Sequence, residues 1–85
     1  MKTELLLYTR KECCLCEDMK LTLGGVAERV SFTLQEIDVD TSPGLQEKYG
    51  NEVPVLFING RKAFKYWLTA RELKKSLKRE GVPAK

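Results

Sequence analysis

Two hydrophobic periods alternate along this chain. Leu5-Leu6-Leu7 forms a short apolar run within residues 3–8, closed on both sides by polar residues, and reads as a buried strand. Residues 9–12 are a polar loop. Beyond it Leu15, Met19, Leu23, Ala27 and Val30 recur at spacings of four and three, one face of a helix opening near Cys14. Gly24-Gly25 interrupts that face. Each glycine costs a helix roughly 1 kcal/mol relative to Ala, so a kink or an early end is expected near Leu23, with recovery to about Arg29. Residues 31–38 then alternate: Phe32, Leu34 and, after a slip, Ile37 share one side of a second strand.

The second half repeats the scheme in shorter pieces. Ser42-Pro43 is a helix start, with Ser42 at the N-cap and Pro43 at the first helical position, and Gly50 is its stop. Residues 53–58, Val-Pro-Val-Leu-Phe-Ile, form a third strand. Asn59-Gly60 is a two-residue hairpin turn, and residues 61–65 return as a fourth strand. Thr69-Ala70-Arg71-Glu72 is a capping box, opening a helix that buries Leu73 and Leu77 and exposes Arg71, Lys74, Lys75, Lys78 and Arg79. Residues 82–85 are expected to fray. The order is β-α-β-α-β-β-α, an α/β arrangement. The first two strands are parallel through a right-handed crossover and the last two antiparallel, in a four-stranded mixed sheet flanked by helices.

At 85 residues there is room for one core, so residues 1–85 are expected to form a single domain. No 18-residue apolar run is present, and the apolar stretch after Met1 is too short for a signal peptide; a cytoplasmic protein without membrane contact is expected. Net charge is +3, unevenly spread. Residues 1–60 carry six basic and ten acidic side chains, a balance of −4; residues 61–85 carry nine and two, a balance of +7. The basic end suits an acidic partner or a solvated face. Nucleic-acid binding is not expected, because no aromatic pattern interleaves with the charges.

The chain has no His, which removes imidazole bases, His metal ligands and Cys–His dyads. Its three cysteines, Cys13, Cys14 and Cys16, lie within four residues. Nothing distant exists for them to staple, and no fourth ligand completes a zinc site, so no metal ligands are expected. Cys13-Cys14-Leu15-Cys16 is a Cys-x-x-Cys at a strand–loop–helix junction, which reads as a thioredoxin-like redox motif. Cysteines three apart in a first helical turn share a face and can pair. Free amides and the helix dipole favour an anion at Cys13, and Arg10 and Lys11 add positive charge, while Glu17 and Asp18 oppose it. Cys13 is the expected attacking thiolate and Cys16 the resolving thiol. Cys14 is either a plain loop residue or an accessory thiol. The alternatives are a half zinc site completed by another subunit, or an incidental pair.

The segment from Leu7 to Cys16, Leu-Tyr-Thr-Arg-Lys-Glu-Cys-Cys-Leu-Cys, resembles the opening of the glutaredoxins. Glu36-Ile37-Asp38-Val39-Asp40 is similar to the end of their second strand, and Glu52-Val53-Pro54-Val55-Leu56-Phe57-Ile58-Asn59-Gly60 to their Thr-Val-Pro segment and hairpin. The likeness spans roughly residues 4–78, and Leu45-Gln46-Glu47-Lys48-Tyr49-Gly50 adds similarity to small bacterial glutaredoxin-like proteins. It implies the thioredoxin fold, a cis Pro54 beside the sulfurs, and a Val53 backbone that pairs with the bound thiol peptide. Arg10 is then a candidate for holding a substrate carboxylate. Two segments depart from the family. Cys14-Leu15 stands where Pro-Tyr is usual, and Ala63-Phe64-Lys65-Tyr66-Trp67-Leu68-Thr69 replaces the Gly-Gly-Cys/Ser-Asp that grips glutathione, so that binding pattern is incomplete.

The expected activity is thiol–disulfide exchange by the Cys13–Cys16 dithiol, with no tightly bound cofactor. The substrate is a disulfide in a protein or small molecule. The reductant is glutathione or a thioredoxin-reductase-type flavoenzyme, and the chain works as a monomer. Two alternatives differ in class: a metal or iron–sulfur carrier sharing a cluster between two chains, and a redox-idle binding module of the same fold.

Overall fold

The computed structural model describes residues 3–82. The chain order is β1 (Glu4–Thr9), α1 (Cys14–Ala27), β2 (Thr33–Asp38), a 3-10 turn (Val39–Thr41), α2 (Pro43–Tyr49), β3 (Val55–Ile58), β4 (Arg61–Lys65) and α3 (Ala70–Arg79). The four strands make one sheet in the spatial order β2-β1-β3-β4. β1 is parallel to β2 and antiparallel to β3, and β3 is antiparallel to β4 with an irregularity between Leu56 and Phe57. This is the expected β-α-β-α-β-β-α topology.

Alternation along β1 sets up the core. Leu5 and Leu7 are buried, while Leu6 and Tyr8 look toward the opposite, half-covered face. Leu5 and Leu7 pack with Leu56 and Ile58 of β3, with Met19, Leu23 and Val26 of α1, and with Leu68, Leu73 and Leu77 around α3. The Asn59-Gly60 turn has positive φ at both central residues, 50° and 84°, the twist that a tight hairpin between β3 and β4 demands. Thr69 caps α3 by accepting the Glu72 N–H at 3.1 Å.

Helix α1 differs from expectation in two ways. It runs without interruption through Gly24-Gly25 to Ala27, and its buried face is Cys16, Met19, Leu23 and Val26, with Leu15 44% exposed. Leu23 and Val26 are both sealed against the sheet, and the pair straddles the two glycines; tertiary burial on each side outweighs the propensity cost between them.

The strands also shift by a residue or two. β1 and β2 occupy 4–9 and 33–38, and β3 starts only after Pro54. No slip occurs in β2: its register with β1 is continuous, with Leu34 opposite Leu5 and Ile37 opposite Tyr8, so the two lie on opposite faces. As an edge strand, β2 leaves Leu34 39% exposed.

The expected frayed end is partly corrected. Gly81, at φ 76°, donates to the Lys78 carbonyl at 3.0 Å, and Val82 donates to Leu77 at 3.1 Å. This is a Schellman cap, and it folds Val82 back against the core. The rest of that segment, 83–85, lies outside the described residues.

Candidate active site

The site forms where β1 hands the chain to α1. Glu12 takes a left-handed backbone, φ 56°, which turns the chain so that Cys13 becomes the N-cap of α1. A cysteine is an unusual cap, but its sulfur fills the role of an acceptor: Cys13 Sγ receives the Cys16 N–H at 3.1 Å, and the Cys13 carbonyl receives the Glu17 N–H at 3.1 Å. Cys13 and Cys16 are joined as a disulfide, with Cα atoms 5.2 Å apart. Their exposure differs sharply. Cys16 is completely buried, Cys13 is half-buried, and Cys14 is a free, exposed thiol.

Cys13 opens onto a shallow cleft that also holds Val53, Gly50 and the charged residues Arg10, Lys11, Glu12 and Asp40. The structure thus brings Val53, far away in sequence, to Cys13 and Arg10, with Pro54 beside Val53. The Val53–Pro54 peptide bond is cis. Cys14 is not among the residues lining the cleft.

Arg10 is already engaged. Its Nε donates to Asp40 Oδ2 at 3.2 Å, its other arm reaches Asp40 Oδ1 at 3.1 Å, and Nη1 donates to the Gly50 carbonyl at 3.0 Å. The fork matches a carboxylate two-for-two. Asp40 takes a further bond from Gln46 Nε2 at 3.0 Å. The guanidinium therefore ties β1, the 3-10 turn and the end of α2 together, and its charge is met within the molecule.

Gly50 is required by close approach. It closes α2 in a right-handed conformation, φ −53°, and a Cβ there would run into the Gln46 carbonyl.

A second ionic clamp lies on the other side of Val53. Glu52 Oε1 accepts Lys62 Nζ at 3.0 Å and Lys65 Nζ at 3.3 Å, tying the loop before Pro54 to β4. Hydrogen bonding from Lys62, then from Lys65, holds the Glu52 carboxyl below its ordinary pKa. A depressed folded-state pKa stabilises the protein above the ordinary glutamate range, and that stability fades as pH falls through the lowered value. Wild type should thus resist urea slightly better than Glu52→Gln at neutral pH, and the gap should close on acidification. A gap unchanged down to roughly pH 3 would refute the clamp.

Neither Asp40 nor Glu52 stood out in the sequence as a site residue. Their roles depend on partners 30 and at least 10 positions away. The segment after β4 holds a third surprise. Tyr66 adopts φ 70°, an outlier for a bulky residue, and donates its N–H to the Pro54 carbonyl at 2.8 Å. Tyr66 and Trp67 are 38% and 62% exposed beside that contact.

Among the described residues no group of three or more His, Cys, Asp or Glu side chains is placed to hold a metal ion, and no helix is long and apolar enough to cross a membrane.

A parallel β1-α1-β2 unit, an antiparallel β3-β4 hairpin and a Cys-x-x-Cys at the start of α1 define a thioredoxin-like fold. A solved thioredoxin from Plasmodium falciparum superposes with a TM-score of 0.64 at 15% identity, over 99% of this chain and 75% of its own. A solved Xanthomonas campestris protein is similar at 28% identity and a TM-score of 0.76, covering 88% of this chain and 96% of that one.

The chain belongs to the glutaredoxin-like domain family (DUF836), whose model matches residues 4–78. A relative in Mycobacterium tuberculosis, itself uncharacterised, is 32% identical over 66 residues, 72% of this chain and 67% of its own. Family and fold, with the paired cysteines, support a redox-type function.

Proposed function

We propose that the protein is a thiol–disulfide oxidoreductase in which Cys13 attacks and Cys16 resolves. The observation that carries the reading is the unequal burial of two paired cysteines at a helix N-terminus: Cys13 reaches the cleft, whereas Cys16 is sealed from solvent and bonded to Cys13. The Cys16 N–H aimed at Cys13 Sγ favours the thiolate there.

In the reduced enzyme the Cys13 thiolate attacks one sulfur of a substrate disulfide. A mixed disulfide forms, and the other substrate sulfur leaves as a thiolate and takes up a proton. Cys16 gives up its proton and attacks Cys13 Sγ, forming the Cys13–Cys16 disulfide and releasing the second substrate thiol. Two electrons and two protons reach the substrate. An external dithiol, or two equivalents of glutathione, restores the starting state. The Val53 backbone presents the substrate chain to Cys13.

A protein reductant fits this cleft better than glutathione. Arg10 is held by Asp40 and Gly50, so it is not free to receive a peptide carboxylate.

Titration in dithiol redox buffers, with alkylated thiols counted by mass, tests the reading. The expected result is one reactive thiol, Cys14, at the oxidising end and three at the reducing end. A two-electron midpoint between roughly −180 and −300 mV is expected. Three alkylated cysteines throughout that range would end the dithiol reading. If the midpoint is found, turnover with glutathione and with a thioredoxin reductase system separates the donors.

A further inference from the structure

Among the described residues, the longest run of cations without an ion pair lies away from the cleft. Beside Cys13, two cations and two anions share one small space, and Arg10 is spent on Asp40. On β4, Lys62 and Lys65 are spent on Glu52, and Arg61 pairs with Glu80. The outward face of α3 is different. Arg71, Lys74, Lys75 and Lys78 are exposed, follow one another along a single stripe opposite buried Leu73 and Leu77, and form no ion pair among the described residues. Glu72, in the first turn, is the one exposed acid on that helix.

The loop that leads into this helix touches the redox site. Val53 shares the cleft with Cys13; the next residue, Pro54, accepts the Tyr66 N–H; and Trp67, the most exposed aromatic there, leads directly through Leu68 and Thr69 into α3. An exposed indole near a run of unpaired cations offers an aromatic anchor and a positive field, which suit an acidic partner. The site at its end needs a partner that brings sulfur. A nucleic acid or a membrane would match the charge but bring no disulfide, and the single Trp offers no stacking series.

We propose that the Tyr66–Trp67 rim and the outer face of α3 dock an acidic polypeptide segment adjoining the disulfide of a protein partner. The proposal rests on the redox reading above and adds the kind of substrate. Selection is electrostatic and takes place outside the cleft; it acts chiefly on association, where complementary fields raise rates by about 10 to 10³.

Three synthetic peptides test it, sharing one intramolecular disulfide and differing in flanks: Glu/Asp-rich, Ser/Gly-rich and Lys-rich. At low salt the acidic peptide should be reduced at least about tenfold faster than the lysine peptide, with the neutral one between. The ordering should collapse near 0.5 M salt, where the screening length is only about 4 Å. K74E/K75E should erase or invert the order. The rate ratio within each variant is the readout, so a general loss of activity cancels.

Redox-silent versions of the peptides, with Ser for both Cys, isolate docking from chemistry. Trp67 is the chain's single tryptophan, so its emission should respond to the acidic peptide and not to the lysine peptide. If the acidic silent peptide binds but no disulfide is reduced, the redox reading fails and the docking surface stands. If all three disulfides are reduced at equal rates, docking is overturned. Phosphatidylglycerol vesicles or an RNA oligonucleotide bound by α3 in that case would assign the face to a polyanion surface instead.

Discussion

Cys13→Ser lowers the rate of disulfide exchange by about 10³-fold or more, because the reaction loses its nucleophile rather than a supporting contact. Cys16→Ser gives a different defect. The first attack proceeds, but the mixed disulfide has no internal thiol to resolve it and accumulates on Cys13, a species that mass spectrometry counts directly. The asymmetry follows from burial: Cys16 is fully covered while Cys13 borders the cleft. Cys14→Ser should leave the first turnover intact, since Cys14 is exposed and lies outside the disulfide. If Cys13→Ser retains exchange while Cys14→Ser loses it, the nucleophile has been misassigned.

Leu7→Ala has the largest expected effect on folding. Leu7 sits fully buried on β1, between β2 and β3, and belongs to the cluster shared by the sheet, α1 and α3. Truncating such a leucine costs about 2–5 kcal/mol, the lost transfer energy together with a cavity that rigid neighbours cannot close. Domains of this size have about 5–15 kcal/mol in total. At about 4–8 °C per kcal/mol, the melting temperature should fall by on the order of 10–40 °C. The same change at Leu21, 76% exposed on α1, should move it by only a few degrees. Equal losses at the two positions would mean that the core is not where the structure puts it.

The topology was readable in the sequence because local signals agreed. The apolar run Leu5-Leu6-Leu7, the caps at Ser42 and Thr69, and the Asn59-Gly60 turn each name an element on their own, and the structure contains all of them. Misreadings arose where a local rule met a tertiary force. The Gly24-Gly25 penalty is real, but Leu23 and Val26 are held in the core on both sides of it. Fraying is expected from Val82 onward, yet Gly81-Val82, a glycine followed by an apolar residue, is the signature of a Schellman cap that holds Val82 in place. At the site, the Cys-x-x-Cys and Arg10 were visible as motif residues. Their neighbours Asp40 and Glu52 were not, because nothing local marks an acid whose cation is supplied by another element. The left-handed Tyr66 was equally hidden, since tyrosine carries no preference for that backbone.

The spatial order β2-β1-β3-β4 leaves two open edges. Open edges are where sheets of neighbouring molecules fuse into aggregates. Both carry charged side chains, Glu36 and Asp38 on β2 and Arg61, Lys62 and Lys65 on β4, and most of these are held in pairs inside one molecule: Glu36 with Lys20, Arg61 with Glu80, and Lys62 and Lys65 with Glu52. Stripping such charges of water to join a second sheet is costly, and the irregularity between Leu56 and Phe57 disturbs the ladder that carries β4. The sheet therefore carries its own protection against joining edge to edge.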